Sequence, residues 1–232
     1  MRRAGGWLLV LLGVLLVLLG STTAVVFGPD NEVASGPHPL ASDGTAIATA
    51  PEAIKYAGPT VRVTVASSSE QPLFVGLGHD LDVRDYLAGS AYARLDTLNL
   101  PWDTTTSRVG GTDAPSRPPA ELDWWLVSDT GPGKVSLTFA LPEDSVDVVV
   151  TNADLRPRLR VQTTVTVLRP GAFAGGLAVA LAGLGLAVAG RVLVGRLRDR
   201  SGRPGIASVG ARRRAPSGAT SAPPVPPPGS PR

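Results

Sequence analysis

The sequence predicts a mainly β domain, an antiparallel sandwich or jelly roll with one short helix, held between two transmembrane helices. Three observations predict it: an uncharged apolar run near each end of the 232 residues, short alternating runs of valine and leucine between them, and a reversal of charge between the middle and the ends.

The first apolar run covers residues 7–27, from Trp7 to Phe27, and its stretch Leu8 to Leu19 is leucine and valine interrupted only by Gly13. About 20 residues at 1.5 Å rise cross a hydrocarbon layer of roughly 30 Å. Arg2 and Arg3, in residues 1–6, hold the N-terminus in the cytoplasm by the positive-inside rule. The same run also reads as a signal peptide with Thr22 and Ala24 before a cut, and either reading exports the middle of the chain.

The second run, residues 171–194, has no charge until Arg191, and Arg196, Arg198, Arg200 and Arg203 follow at once. A span followed by arginines is a stop-transfer pattern. The expected location is therefore the cell membrane, crossed twice, with both termini cytoplasmic and the middle domain extracytoplasmic. Gly171 and Gly175 make a GxxxG spacing, and Ala172, Gly176 and Ala180 repeat small residues at every fourth position. That pattern predicts close contact with another helix, the first segment being the nearest partner.

The net charge of +3 conceals two opposite parts. Residues 28–169 hold 11 Arg and Lys against 18 Asp and Glu, a net of −7, so the basic excess belongs to the ends and no nucleic-acid partner is expected. No cysteine is present, which excludes a disulfide framework and a thiolate metal site.

Residues 28–58 contain Pro29, Gly36, Pro37, Pro39, Pro51 and Gly58 without periodicity and read as an extracytoplasmic spacer. The β domain is expected over 59–169. Val61, Val63 and Val65 alternate with polar residues, and Leu73, Val75 and Leu77 follow. Asp80 to Leu87 reads as a short helix that Asp82 caps. A strand is expected over Ser90 to Leu98 and a long loop over Asn99 to Ala120. Leu122, Trp124 and Leu126 alternate with Asp123, Trp125 and Val127, and Gly131-Pro132-Gly133 turns this strand into Val135, Leu137 and Phe139. Strands at Val146 to Val150 and Leu159 to Val167 complete six to eight. Residues 195–232 read as a disordered, basic, proline-rich cytoplasmic tail, with Pro223 to Pro228 favouring a polyproline helix and Arg212 to Arg214 a basic patch.

The run Phe74 to His79, then Asp82 to Gly89, Pro118-Pro119, Trp125 to Ser128, Gly131 to Gly133 and Val148 to Asp154 resembles a family of actinobacterial two-span membrane proteins with an outer β domain. The likeness covers most of residues 60–190. It implies the architecture and brings no activity or site residue. The chain departs from the family pattern after Asp154, where Leu155-Arg156 replaces a Gly-Ser turn.

Candidate chemistry is sparse. Asp80, Asp82 and Asp85 are the densest acidic spot, but a calcium loop begun at Asp80 has Arg84 at position five, Asp85 at six and Ala91 at twelve, where it needs an oxygen ligand, glycine and glutamate. His79 beside Asp80 would supply half of an acid–base pair, although acids on the outer face of a domain are the ordinary explanation, and the other histidine, His38, falls in the expected spacer. No Gly-x-Ser-x-Gly occurs. Paired carboxylates are not readable from spacing. Strand alternation puts Trp124 and Trp125 on opposite faces; an outward Trp125 would be able to stack on a sugar, while the ordinary reading buries both, one in the sheet interface and one under the long loop. No catalytic, metal or cofactor residue is assigned and no cofactor is expected. The pattern implies a non-enzymatic envelope protein that meets the lipid bilayer and binds a protein or glycan. The alternatives are an accessory subunit held through a helix–helix partner in the membrane, and an envelope hydrolase using carboxylates.

Overall fold

Valine and leucine at every second position fold the middle of the chain into two stacked sheets, and the two apolar ends fold into helices that pack on each other. The computed structural model describes residues 2–55, 58–67, 69–99 and 102–201. In chain order its elements are α1 (Arg2–Phe27), β1 (Glu32–Ala34), β2 (His38–Ser42), β3 (Ala46–Thr49), α2 (Pro51–Ile54), β4 (Thr60–Ala66), β5 (Pro72–His79), α3 (Asp80–Tyr86), β6 (Tyr92–Asn99), β7 (Asp103–Val109), β8 (Val127–Pro132), β9 (Lys134–Ala140), β10 (Val146–Asn152), β11 (Leu159–Leu168) and α4 (Ala172–Ser201).

One sheet runs β1-β11-β4-β9, with β2 pairing β11 beyond β1, and the other runs β7-β6-β3-β10-β5-β8. Every pairing is antiparallel except β3 with β6. Val61, Val63, Val65, Leu137, Phe139, Val161 and Val165 from the first sheet meet Leu73, Val75, Leu77, Val148, Val150 and Ile47 from the second, and form the core of a sandwich-like domain. Two helices long and apolar enough to cross a membrane, by length and composition, flank it.

Four expectations are corrected. Residues 28–58 are not only a spacer: they supply β1, β2, β3 and α2, and Ala46, Ile47, Ala48, Ala53 and Ile54 are buried. Asp103–Val109, expected as loop, is an edge strand whose threonines face solvent on both sides, which is why no alternation marks it. The hairpin at Gly133 exists, but its first strand is Val127–Pro132, so Leu122 to Leu126 is irregular. Asp82 does not cap α3; the N-cap position is His79, with no side-chain bond. The tail features from Arg203 onward lie outside the described residues.

Gly6, Gly13 and Gly20 of α1 and Gly176, Gly183 and Gly190 of α4 are the buried positions among the described residues of the two helices. They meet as three antiparallel pairs, and a Cβ at Gly13 would stand 2.5 Å from the Ala187 nitrogen and one at Gly183 2.6 Å from the Gly13 oxygen. Seven residues separate successive glycines on each helix, the period of a left-handed seam. The small-residue expectation therefore holds for Gly176 and Ala180, while Gly171 and Gly175 meet nothing.

Asn31 joins the helices to the sandwich. Its side-chain oxygen accepts from the Phe173 nitrogen at the start of α4, its carbonyl accepts from the Arg169 nitrogen, and its backbone is left-handed at φ 59°.

Candidate functional site

The centre of the six-stranded sheet, β3, β10 and β5, is buried on both faces. Its inner face joins the core; its outer face, with Ala46, Ala48 and Val149, lies under α3 and the segment Leu122–Leu126. Glycines make that cover possible, since a Cβ at Gly76 would stand 2.7 Å from Trp125 Cε3 and one at Gly78 2.5 Å from Trp124 Cζ3. Trp124 and Trp125 therefore share one face, their rings 4.0 Å apart, and Trp125 also packs on Phe74 at 5.0 Å and donates from Nε1 to the Pro119 carbonyl at 2.8 Å. The opposite-face expectation is corrected: without a strand at Leu122–Leu126 there is no alternation to turn Trp125 out, and both rings are partly buried against one cluster.

Under the same cover lies a pair of carboxyls. Asp147, on β10, is 3% exposed, and its Oδ1 has no hydrogen-bond partner. Asp80, at the start of α3, faces it closely enough for its charge to act on it. Asp80 Oδ1 is itself 2.9 Å from Arg84 Nε, an ion-pair distance at which the N–H is not aimed well enough for a hydrogen bond. Burial first and the Asp80 charge second push the Asp147 carboxyl up to about 7, against the pull of Arg94 and Arg84. His79 is not bonded to Asp80 as a base would be; the basic partner of Asp80 is Arg84. Asp82 and Asp85 lie on α3 without joining the pair. Asp147 is closed off from solvent, so the pair acts on the fold. His38 stacks on Trp102, ring centroids 4.2 Å apart, and its Nε2 lies 2.6 Å from the Ser35 carbonyl.

The open site is elsewhere. β11 enters α4 at its C-terminal end, so the opposite end of the sandwich, where β11 begins, stands farthest from the helices. There Ser42 at the end of β2, Asp43 and Gly44 of the following turn, Ala91 to Ala93 where β6 begins, Arg108 to Gly110 where β7 ends, and Arg160 of β11 enclose a groove of about 510 Å³. The Ser42 hydroxyl fixes the turn by accepting from the Gly44 and Ala93 nitrogens, each at 3.1 Å. Any side chain at Gly44 would collide with the Ala91 carbonyl, so only glycine brings the turn this close.

Two arginines from different sheets converge on one carboxylate. Arg108 Nη2 lies 3.4 Å from Asp43 Oδ2 and Arg160 Nη2 lies 4.0 Å from Asp43 Oδ1. The Arg158 nitrogen donates to the Gly44 carbonyl at 3.0 Å, which ties the β10–β11 turn to the groove wall. In that turn Leu155 and Arg158 both have left-handed backbones, φ 59° and 67°, a conformation that favours glycine. None of Asp43, Arg108 and Arg160 is signalled by a motif. Arg160 falls on the expected strand Leu159 to Val167, but Arg108 belongs to the unexpected β7. Comparison with protein-family models, curated proteins and solved structures finds no match to this chain.

Proposed function

We propose that this chain is a two-span membrane protein, with both termini in the cytoplasm, whose outer sandwich binds a protein or glycan of the cell envelope through the groove at its far end. Arginines flanking both apolar helices, at Arg2, Arg3, Arg191 and Arg196, support the orientation. The observation that carries the binding reading is the position of the groove: a concave, solvent-open site of the size of small-ligand pockets, on the end turned away from the helices. The actinobacterial two-span family fits the same architecture. A separate subunit in the membrane has less support, because Gly176 and Ala180 pack on Gly20 of the same chain.

The absence of cysteine makes a direct test possible. In intact cells a membrane-impermeant maleimide should label Ser116→Cys and should reach Ser201→Cys only after permeabilisation. A photo-crosslinking residue at Val109 should take up envelope material, and the same residue at exposed Glu70 should not. Labelling of Ser201→Cys in intact cells removes the topology, and an empty Val109 crosslink removes the binding role.

A further inference from the structure

We infer that the groove takes an acid-bearing glycan, and that the Asp43 carboxylate stands in it as an exchangeable substitute for the ligand's own oxyanion. This rests on the reading of the chain as an envelope-binding protein and names the chemistry of that same groove.

Guanidinium forks match carboxylate and phosphate oxygens, and a well-made contact is about 2.7 to 2.9 Å long. Arg108 and Arg160 hold Asp43 at 3.4 and 4.0 Å instead, from two different sheets. Their side chains are 87% and 71% exposed and that of Asp43 is 69% exposed, so water screens the contact and the fold gains little from it. Two cations thus face a loosely held anion that an incoming one can replace. Arg158, tied to Gly44, brings a third positive group to the same end, and Arg156 a fourth that Asp154 holds at 2.7 Å. In a stretch whose net charge is −7, this is a local reversal of sign.

The groove walls favour a sugar over a protein. At about 510 Å³ the groove has the size of a small-ligand pocket, and Ala41, Gly44, Ala91, Ala93 and Gly110 keep its walls small, with Tyr92 the one aromatic in its lining on which a sugar ring can rest. Reach excludes the lipid headgroups beside the helices. Along β11 the eight steps from Arg160 to Leu168 put roughly 26 Å between the groove and the end of the strand that leads into α4, at about 3.3 Å per residue.

The test uses the full chain in phosphatidylcholine nanodiscs and titration calorimetry with four probes: oligogalacturonate, phosphorylated dextran, neutral dextran and polyglutamate. One or both charged glycans should bind, the stronger identifying carboxylate or phosphate as the natural group. Losing a charged contact in Arg108→Ala/Arg160→Ala should weaken binding about tenfold or more, while Asp43→Ala should tighten it by a similar factor. Exposed Arg117→Ala should change nothing. The inference is overturned if neutral dextran binds as well as the charged glycans, if polyglutamate binds better than either, if Asp43→Ala weakens binding or leaves it unchanged, or if Arg117→Ala costs as much as the groove pair. The two readings fail separately. A filled Val109 crosslink with no charged glycan bound overturns only the acid-bearing ligand, and an empty crosslink overturns the binding role itself.

Discussion

Asp147 occupies a place that a two-sided buried strand gives to valine. Its neighbours on β10 are Val146, Val148, Val149 and Val150, all buried, and the charged groups around it are Asp80 and Arg84 from α3 and Arg94 from β6. Because its folded pKa is raised to about 7 from an ordinary 3.8, the fold favours the protonated form. The resulting stability is fully present below the ordinary value and is lost as pH rises through about 7. The full chain in detergent should therefore unfold at a higher temperature at about pH 5.5 than at about pH 8, followed by the fluorescence of Trp124 and Trp125. Asp147→Asn should flatten that profile and stabilise the protein by about 1–3 kcal/mol at the alkaline end, since it removes an uncompensated buried charge. A wild-type profile that is flat, or that slopes the other way, would show that the carboxyl is ionised at no cost. In the sequence this residue reads as the polar face of an alternating strand. Its burial comes from α3 and the tryptophan segment, which reach it from about 60 and about 20 residues earlier in the chain.

At the scale of elements, what packing builds locally was legible and what a distant partner builds was not. The valine alternations of β4, β9 and β11 stand where periodicity places them, because one face of each meets the core and the other meets water. β7 escaped because an edge strand exposed on both faces needs no apolar residue, and the alternation from Leu122 to Val127 misled because glycines opposite let both tryptophans lie flat on one side. The helix pair shows the same division: small residues are visible on α4, but the seam appears only when Gly6, Gly13 and Gly20 are set against Gly190, Gly183 and Gly176. A leucine at Gly13 must push the backbones apart, whereas one at Gly175 enters open space. With spin labels at Leu15→Cys and Leu184→Cys, both outward-facing, Gly13→Leu should lengthen the interhelical distance by about 2 Å or more, toward the spacing of ordinary helix pairs. Gly175→Leu should leave it unchanged. An unmoved distance in Gly13→Leu would mean that the glycine seam does not hold the helices.

For the molecule as a whole, the limits of the folding unit differ from those that composition suggests. Pro and Gly between 28 and 58 look like a tether, yet β3 sits inside the six-stranded sheet between β6 and β10, and Thr49 Oγ1 accepts from the Val148 nitrogen at 2.8 Å where the ladder of β3 ends. A fragment begun at Pro59 lacks that strand and leaves β6 without a neighbour on its inner side. Residues 59–169 should therefore give a collapsed or aggregated product, and residues 29–169 a cooperatively melting domain, distinguishable by near-ultraviolet circular dichroism and a thermal scan. Equal folding of the two fragments would place β3 outside the cooperative unit.

The Asn31 junction has a mechanical meaning. A sandwich hung from one slack strand would swivel and absorb any pull as rotation. Here the incoming and outgoing strands are riveted side by side, with the Arg169 nitrogen on the Asn31 carbonyl and the Phe173 nitrogen on its side chain. Sideways force on the far tip consequently arrives at the two helices as leverage instead of being lost in a loose hinge.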